Sequence, residues 1–213
     1  MTYSIRPMVR EDLAQVNEID HEAFPTQWPP ANYRQELQNR LARYIVVSDD
    51  SRTVEVPPVK PRLGLLRLAS RWLPWLIPTD HARPPAPRPY IMGFAGIWMM
   101  VDEAHITNIA VRKEYQGKGI GGLLVIAAID LAVELKASLL TLEVRASNLV
   151  AQKLYSRYGF TQTGLRRGYY LDNKEDAIIM STESLASPAF LAQLQQLRDS
   201  LSEKLAPVVT PRG

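Results

Sequence analysis

His105-Ile-Thr-Asn-Ile-Ala-Val-Arg-Lys-Glu-Tyr-Gln-Gly-Lys-Gly-Ile-Gly-Gly122 decides how the rest of this chain is read. Ile106 to Val111 is an apolar run expected as a strand, and a short charged turn follows it. Gly117, Gly119, Gly121 and Gly122 then lead into an apolar helix expected over Gly121 to Lys136. A glycine-rich loop opening a helix leaves several backbone N–H groups unpaired at the positive end of the helix dipole. That is a seat for phosphate or pyrophosphate. The missing Cβ atoms let the backbone approach a ligand closely.

Two known phosphate patterns compete for this loop. A Walker A loop needs Lys followed by Ser or Thr, and Lys118 is followed by Gly119. The dinucleotide fingerprint G-x-G-x-x-G is satisfied by Gly117, Gly119 and Gly122, with Glu143 at roughly the 20-residue distance that motif asks. Its strand, however, should run directly into the glycines, and here Arg112-Lys-Glu-Tyr-Gln116 intervenes. After Tyr158 come two strands around a polar, aromatic turn, which is not the continuing βαβ series of a dinucleotide domain.

Upstream, residues 2–8 alternate like a strand, and Asp12 to Ala23 places Leu13, Val16 and Ile19 on one helical face. Phe24-Pro-Thr-Gln-Trp28 is a loop, Asn32 caps a helix expected to Arg40, and Arg43 to Ser48 is a strand. Tyr90 to Met100 reads as a strand with core on both sides. Downstream, Leu139 to Val144 is a buried strand, and Asn148 to Tyr158 a helix ending at Gly159. Phe160 to Thr163 and Ala177 to Met180 are the closing strands. Ser187 and Pro188 start a last helix whose stripe of Phe190, Leu194, Leu197, Leu201 and Leu205 is a docking face, too short for a coiled coil.

The 213 residues fit one domain with additions. Cysteine is absent, which excludes disulfides, thiolate metal sites and a cysteine nucleophile. Three scattered histidines (His21, His81, His105) make a histidine metal site improbable, so no metal is expected. The N-terminal residues carry no apolar signal run, and the chain is expected to be cytoplasmic. The net charge of +3 is local: residues 51–89 hold seven basic and two acidic residues, and the remainder is slightly acidic. A general nucleic-acid surface is therefore not supported.

A charged turn followed by Gln116-Gly-Lys-Gly-Ile-Gly resembles the Q/R-x-x-G-x-G/A signature of the GNAT superfamily of acetyl-CoA-dependent acetyltransferases, with Gln116, Gly119 and Gly121 in the signature places. Ile109-Ala-Val111, Leu142-Glu-Val-Arg-Ala-Ser-Asn148, Leu154-Tyr155, Tyr158-Gly-Phe160, Arg166-Arg-Gly-Tyr-Tyr170 and Glu175 to Met180 are similar to the RimI-type members. Those act on the N-terminal alanine of ribosomal protein S18. The likeness covers about residues 90–182 closely and 1–48 more loosely, through Ala23-Phe-Pro25 and Trp28.

The resemblance implies an α/β (α+β) GNAT fold over residues 1–182: a mixed, splayed sheet flanked by helices, interrupted by a Pro-rich basic insertion at 51–89 and followed by a helical extension at 183–213. It implies direct transfer from acetyl-CoA to a protein N-terminal α-amine, that of S18 foremost. The alternatives are a small amine or lysine side chain as acceptor, or a non-catalytic acyl-CoA sensor. In this reading the backbone of Ile109, Ala110 and Val111 pairs with the pantetheine arm. Gln116, Gly117, Lys118, Gly119, Ile120, Gly121 and Gly122 hold the pyrophosphate, and Lys118 either helps or is solvated.

Glu143 alternates out of phase with Leu140, Leu142 and Val144, so it leaves the aliphatic face of its strand. It is either a solvated or salt-bridged residue or, by resemblance, the general base. Asn148 is a helix cap or a pantetheine ligand; Tyr155 is a core aromatic or, by resemblance, the general acid. Phe24, Trp28, Tyr169 and Tyr170 either pack or wall an N-terminus slot. Arg166 and Arg167 are expected to be solvated or paired near Glu175 and Asp176. Nine of the sixteen prolines lie in 51–90. That insertion, with Trp72 and Trp75, either contacts an anionic membrane or RNA weakly or packs on the protein's own surface. Nothing in the sequence sets an oligomeric state.

Overall fold

The computed structural model describes residues 3–26, 31–55 and 87–205. Seven strands form one sheet: β1 (Tyr3–Pro7), β2 (Ala42–Glu55), β3 (Pro87–Met100), β4 (Glu103–Val111), β5 (Leu139–Arg145), β6 (Thr161–Arg166) and β7 (Ala177–Ser181), in the order β1-β2-β3-β4-β5-β7-β6. Every neighbouring pair is antiparallel except β4 with β5. The helices are α1 (Leu13–Ala23), α2 (Tyr33–Glu36), α3 (Ile120–Glu134), α4 (Leu149–Arg157) and α5 (Pro188–Leu205).

The centre of the sheet is covered on both faces, so β3 is apolar without alternation and Ile91 to Ile97 are all buried. On one face Val46, Ile91, Phe94 and Tyr44 meet Val16 and Ile19 of α1 and Tyr33 of α2. The Tyr33 hydroxyl donates to buried Asp20, which joins α2 to α1. On the other face Ile45, Val47, Met92 and Ala95 pack under Ile120 and Leu124 of α3. A third cluster extends from α3 through Leu140, Leu142 and Phe160 to Phe190, Leu194, Leu201 and Leu205 of α5. Helix α3 therefore lies between the sheet and α5 and is buried nearly all round, which accounts for its composition.

The expected elements are all present, with shifted ends. Helix α2 is four residues long instead of reaching Arg40: Asn32 caps it as expected, but the Asn39 side chain takes the Leu41 N–H and turns the chain into β2. Strand β2 continues past Ser48 to Glu55 and pairs with β3 as far as Glu55↔Pro87. Both edges of the segment set apart as an insertion (51–55 and 87–89) are thus ladder. Ser187 caps α5, accepting from the Phe190 N–H, and of the expected stripe Phe190, Leu194, Leu201 and Leu205 are buried and Leu197 partly so. Trp28 and residues 56–86, with Trp72 and Trp75, lie outside the described residues. No helix among the described residues is long and apolar enough to cross a membrane.

Candidate active site

The parallel pair does not last. Strands β4 and β5 are in register from Glu103↔Leu139 to Ile106↔Leu142 and then part, although β4 runs on to Val111 and β5 to Arg145. The cause lies on the other edge of β4. Gly96 faces Asn108 while Ile97 faces Ile106, so Thr107 is an extra residue. Such a bulge bends and twists the strand that carries it. Beyond it, Ile109, Ala110 and Val111 stay paired to β3 and present their other backbone edge to the gap. That edge can accept an extended ligand as an added strand.

Below the gap, the charged spacer is anchored rather than free. Buried Arg112 donates from Nε to the Ile91 carbonyl and from its guanidinium to Glu18, at 2.9 Å each. Tyr115 is buried; its hydroxyl donates to Asp49 and accepts from Arg52, and the Tyr90 hydroxyl donates to Glu114. The Gln116 amide donates back to the Val111 carbonyl at 3.0 Å. Lys118 folds its ammonium over the Tyr115 ring, 5.2 Å from the centroid. These contacts hold the glycine loop at the foot of β4.

Within that loop, Gly119 adopts φ +96 and Gly117 φ +72, a region costly for a residue with a Cβ. The first helical bond runs from Leu123 N–H to Gly119 O, at 3.1 Å. The N–H groups of residues 117–122 find no acceptor among the described residues. A Cβ on Gly117 would meet nothing within 4 Å, so the cradle is open on that side. These groups fit a pyrophosphate. Ile120 contributes only its backbone, because its side chain is core.

Glu143 is the first residue of β5 past the last parallel pair. Its carboxylate, only 10% exposed, lies 2.7 Å from His105 Nε2 and 3.2 Å from the Arg166 guanidinium. The His105 hydrogen bond, followed by the nearby charges of His105 and Arg166, holds Glu143 below the usual carboxylate range against the opposing effect of burial. The half-exposed Arg166 thus pairs with Glu143, where the sequence reading had it solvated or paired near Glu175 and Asp176. Glu175 and Asp172 instead take Arg145 (3.1 and 2.8 Å), and Asp176 accepts the Gly168 N–H.

Asn148 is exposed and caps α4, its side chain accepting from the Ala151 N–H at 3.1 Å. Tyr155 is buried, and its hydroxyl has no partner among the described residues. No fully enclosed side-chain polar atom there lacks one, so that hydroxyl reaches accessible space. Burial first, and then Tyr170, push the Tyr155 phenol upward in pKa, which keeps it protonated.

Tyr169 and Tyr170 pack edge to face at 5.2 Å, with Tyr170 near Glu143. Arg145 lies 3.9 Å over the Tyr170 ring, and Arg166 5.4 Å over Tyr169. Burial pushes Tyr170 up to about 12. Thr26, two residues past Phe24, donates to Asp172 at 2.5 Å, so the α1–α2 connection meets the β6–β7 loop. Phe24 itself is partly buried against the α1–α2 core. Sequence reasoning did not find His105, Arg145 or the Thr26–Asp172 bridge. Their shared faces follow from strand register and loop approach, which no spacing along the chain displays.

A sheet opened between two parallel strands, with an amide cradle at its foot and a carboxylate at its fork, defines an acyl-transfer site of the acetyltransferase class. A model of the acetyltransferase (GNAT) family matches residues 68–160. A Bacillus subtilis (strain 168) protein with the provisional name [ribosomal protein bS18]-alanine N-acetyltransferase is 33% identical over 178 residues, 83% of this chain and 93% of that one. The [ribosomal protein bS18]-alanine N-acetyltransferase of Escherichia coli (strain K12) is 44% identical over 90 residues, 41% of this chain and 61% of that one. The crystal structure of the Escherichia coli ribosomal-protein-S18-alanine N-acetyltransferase superposes with TM-score 0.58 at 25% identity, covering 88% of this chain and 97% of that one. The chain belongs to the GNAT family of acetyltransferases, enzymes that use acetyl-CoA.

Proposed function

We propose that this chain acetylates the N-terminal α-amine of a protein, and that its acceptor is the N-terminal alanine of ribosomal protein bS18. The observation that carries the reading is the placement of Glu143: an ionised, doubly paired carboxylate at the fork of the sheet, with the Tyr169–Tyr170 pair beside it. The relative that this chain spans almost entirely carries that name and supports the choice of acceptor.

Acetyl-CoA supplies an activated thioester. The N–H groups of residues 117–122 hold its pyrophosphate, and the free edge of Ile109, Ala110 and Val111 aligns its pantetheine arm. Glu143 takes a proton from the α-ammonium, directly or through water, and the neutral amine then attacks in a ternary complex. An α-amine has a pKa of about 8, so little thermodynamic work is asked of the base. As the C–S bond breaks, Tyr155, kept neutral by burial, gives its hydroxyl proton to the departing sulfur, and the second proton lost by the attacking nitrogen restores the phenol through water. The Thr26–Asp172 bridge ties the α1–α2 connection to the β6–β7 loop, and in this reading both bound the acceptor side. Phe24, Tyr169 and Tyr170 line the acceptor side in this reading, and Asn148 adds a polar contact for the cofactor arm. The site lies in residues 1–182, with 183–213 as an extension.

The test is CoA release from acetyl-CoA on a panel of peptides with free α-amines and varied first residues, with N-blocked lysine peptides and polyamines as controls. Alanine-initiated peptides, the bS18 sequence foremost, should give the highest kcat/KM. Faster turnover of blocked lysine peptides or polyamines would overturn the assignment.

A further inference from the structure

Glu143 has a partner that the acetyl-transfer scheme leaves unused. His105 on β4 stands opposite Thr141 in the parallel register, and Glu143 follows Thr141 by two residues on the same face of β5. The bulge at Thr107 lies just beyond His105, so the histidine belongs to the closed part of the pair, one rung before the last at Ile106↔Leu142, while Glu143 begins the open part.

We propose that His105 is the positioning residue for the base: its Nε2–H is donated to Glu143 Oε2 and sets the carboxylate in place as an ionised acceptor for the amine proton. The inference rests on Glu143 being that base. At 2.7 Å, an unprotonated Nε2 facing a carboxylate oxygen would put two lone pairs against each other, so the proton is on Nε2 whenever Glu143 is ionised. The ring's other nitrogen lies 2.8 Å from Thr141 Oγ1, which in turn lies 3.4 Å from the Ala104 carbonyl. Thr141 can donate to Nδ1, or accept from it while donating to Ala104. The ring is therefore braced in either protonation state, and the Nε2–H stays on Glu143 in both.

Arg166 does not do the same work. It reaches the other carboxylate oxygen at 3.2 Å, but its side chain is 53% exposed, whereas His105 is 18% exposed. A nearly buried carboxylate needs a fixed partner to offset its desolvation. The charged and titratable groups facing Glu143 are His105 from β4, Arg166 from β6 and Tyr170 from the β6–β7 loop. Arg145, next but one on its own strand, is taken by Asp172 and Glu175.

The experiment compares His105→Leu, His105→Gln, His105→Asn and Glu143→Gln in the full chain, using acetyl-CoA and an alanine-initiated peptide, with acetyl-CoA affinity measured by calorimetry for each. His105→Leu should lower kcat by about 10- to 100-fold and move the acidic limb of kcat to higher pH, while the KM for acetyl-CoA stays within about twofold. His105→Gln, whose amide can donate to Glu143 and accept from Thr141, should recover most of kcat. His105→Asn, too short to reach, should not. His105→Leu with kcat and limb unchanged, or Gln and Asn equally impaired, would overturn the proposal. If His105→Leu fails to bind acetyl-CoA, the Gln and Asn pair decides. Glu143→Gln at wild-type rate removes the base assignment itself; an inactive Glu143→Gln beside an unimpaired His105→Leu removes only the role of His105.

Discussion

Leu205, near the end of α5, rests against Gly119, the left-handed residue that opens α3: a Cβ built on that glycine would lie 3.4 Å from Leu205 Cδ2. Leu201, one turn earlier, would be 3.2 Å away, and Arg198 fixes the same helix to Asp130 of α3 by two bonds of 3.0 and 2.6 Å. The C-terminal helix is thus packed against the back of the amide cradle. Leu205→Ala should cost about 2 kcal/mol of stability through the cavity it leaves. It should also raise the acetyl-CoA dissociation constant several-fold more than the peptide KM. Calorimetry with acetyl-CoA alongside chemical denaturation separates the two effects.

Gly122→Ala should be among the most damaging single-methyl additions in the protein. Its Cβ would stand 2.2 Å from the Tyr158 hydroxyl, and α3 cannot retreat because it is enclosed between the sheet and α5. Overpacking of this kind costs about 1–3 kcal/mol. Gly122→Ala with Tyr158→Phe should recover much of the loss, as read by urea midpoints.

Glu143→Gln should lower kcat by about 10²–10⁴-fold with acetyl-CoA affinity retained. Because the native carboxylate is held below its ordinary range, kcat/KM should not show a carboxylate limb between pH 5 and 7. It should instead rise toward pH of about 8, where the substrate amine loses its proton. A limb near pH 5 in the wild-type profile would contradict this placement of the charge.

Thr26→Val and Asp172→Asn should each loosen the bridge between the α1–α2 connection and the β6–β7 loop. The expected result is a several-fold rise in peptide KM with kcat for acetyl transfer little changed, and a relative gain for bulkier acceptors. Competition between alanine-initiated and blocked lysine peptides, scored by mass spectrometry, measures the shift in preference.

Glu175 accepts the Ser147 N–H at 2.7 Å and also bonds Asn173 and Arg145, which together lower it to about 2. A carboxylate depressed in the folded state stabilises fully above its unfolded pKa of about 4.3, and that stability is lost as pH falls toward the folded value. The melting temperature should therefore drop between about pH 4.5 and 2, and Glu175→Gln should flatten that part of the curve while lowering it at pH 7.

Much of the fold was legible because its signals are local. The glycine loop, the Ser187 cap, the Gly159 stop and the apolar periodicity of α3 each depend on a few adjacent residues, and each sits where expected. The ends of β2 and α2 were not legible: a strand lengthens when its partner is long, and Asn39 ends the helix by a side-chain bond that competes with it. Of the site, the alternation that turns Glu143 out of the aliphatic face was visible, but its partners were not. Arg166, read as solvated or paired near Glu175 and Asp176, keeps half its surface in solvent and crosses to Glu143.

By itself the sequence determined the class of chemistry: a four-glycine loop at a helix start, a spacer that sets it off from the strand, and an outward carboxylate on the next strand. Backbone geometry and side-chain periodicity are short-range properties, so residue order is enough to specify them. Only the tertiary structure decided what surrounds that carboxylate. The bulge at Thr107 sets where β4 and β5 part, the parallel register sets His105 beside Glu143, and the approach of two distant loops sets Thr26 on Asp172. These contacts join residues tens of positions apart, and their energies exist only once the sheet has closed.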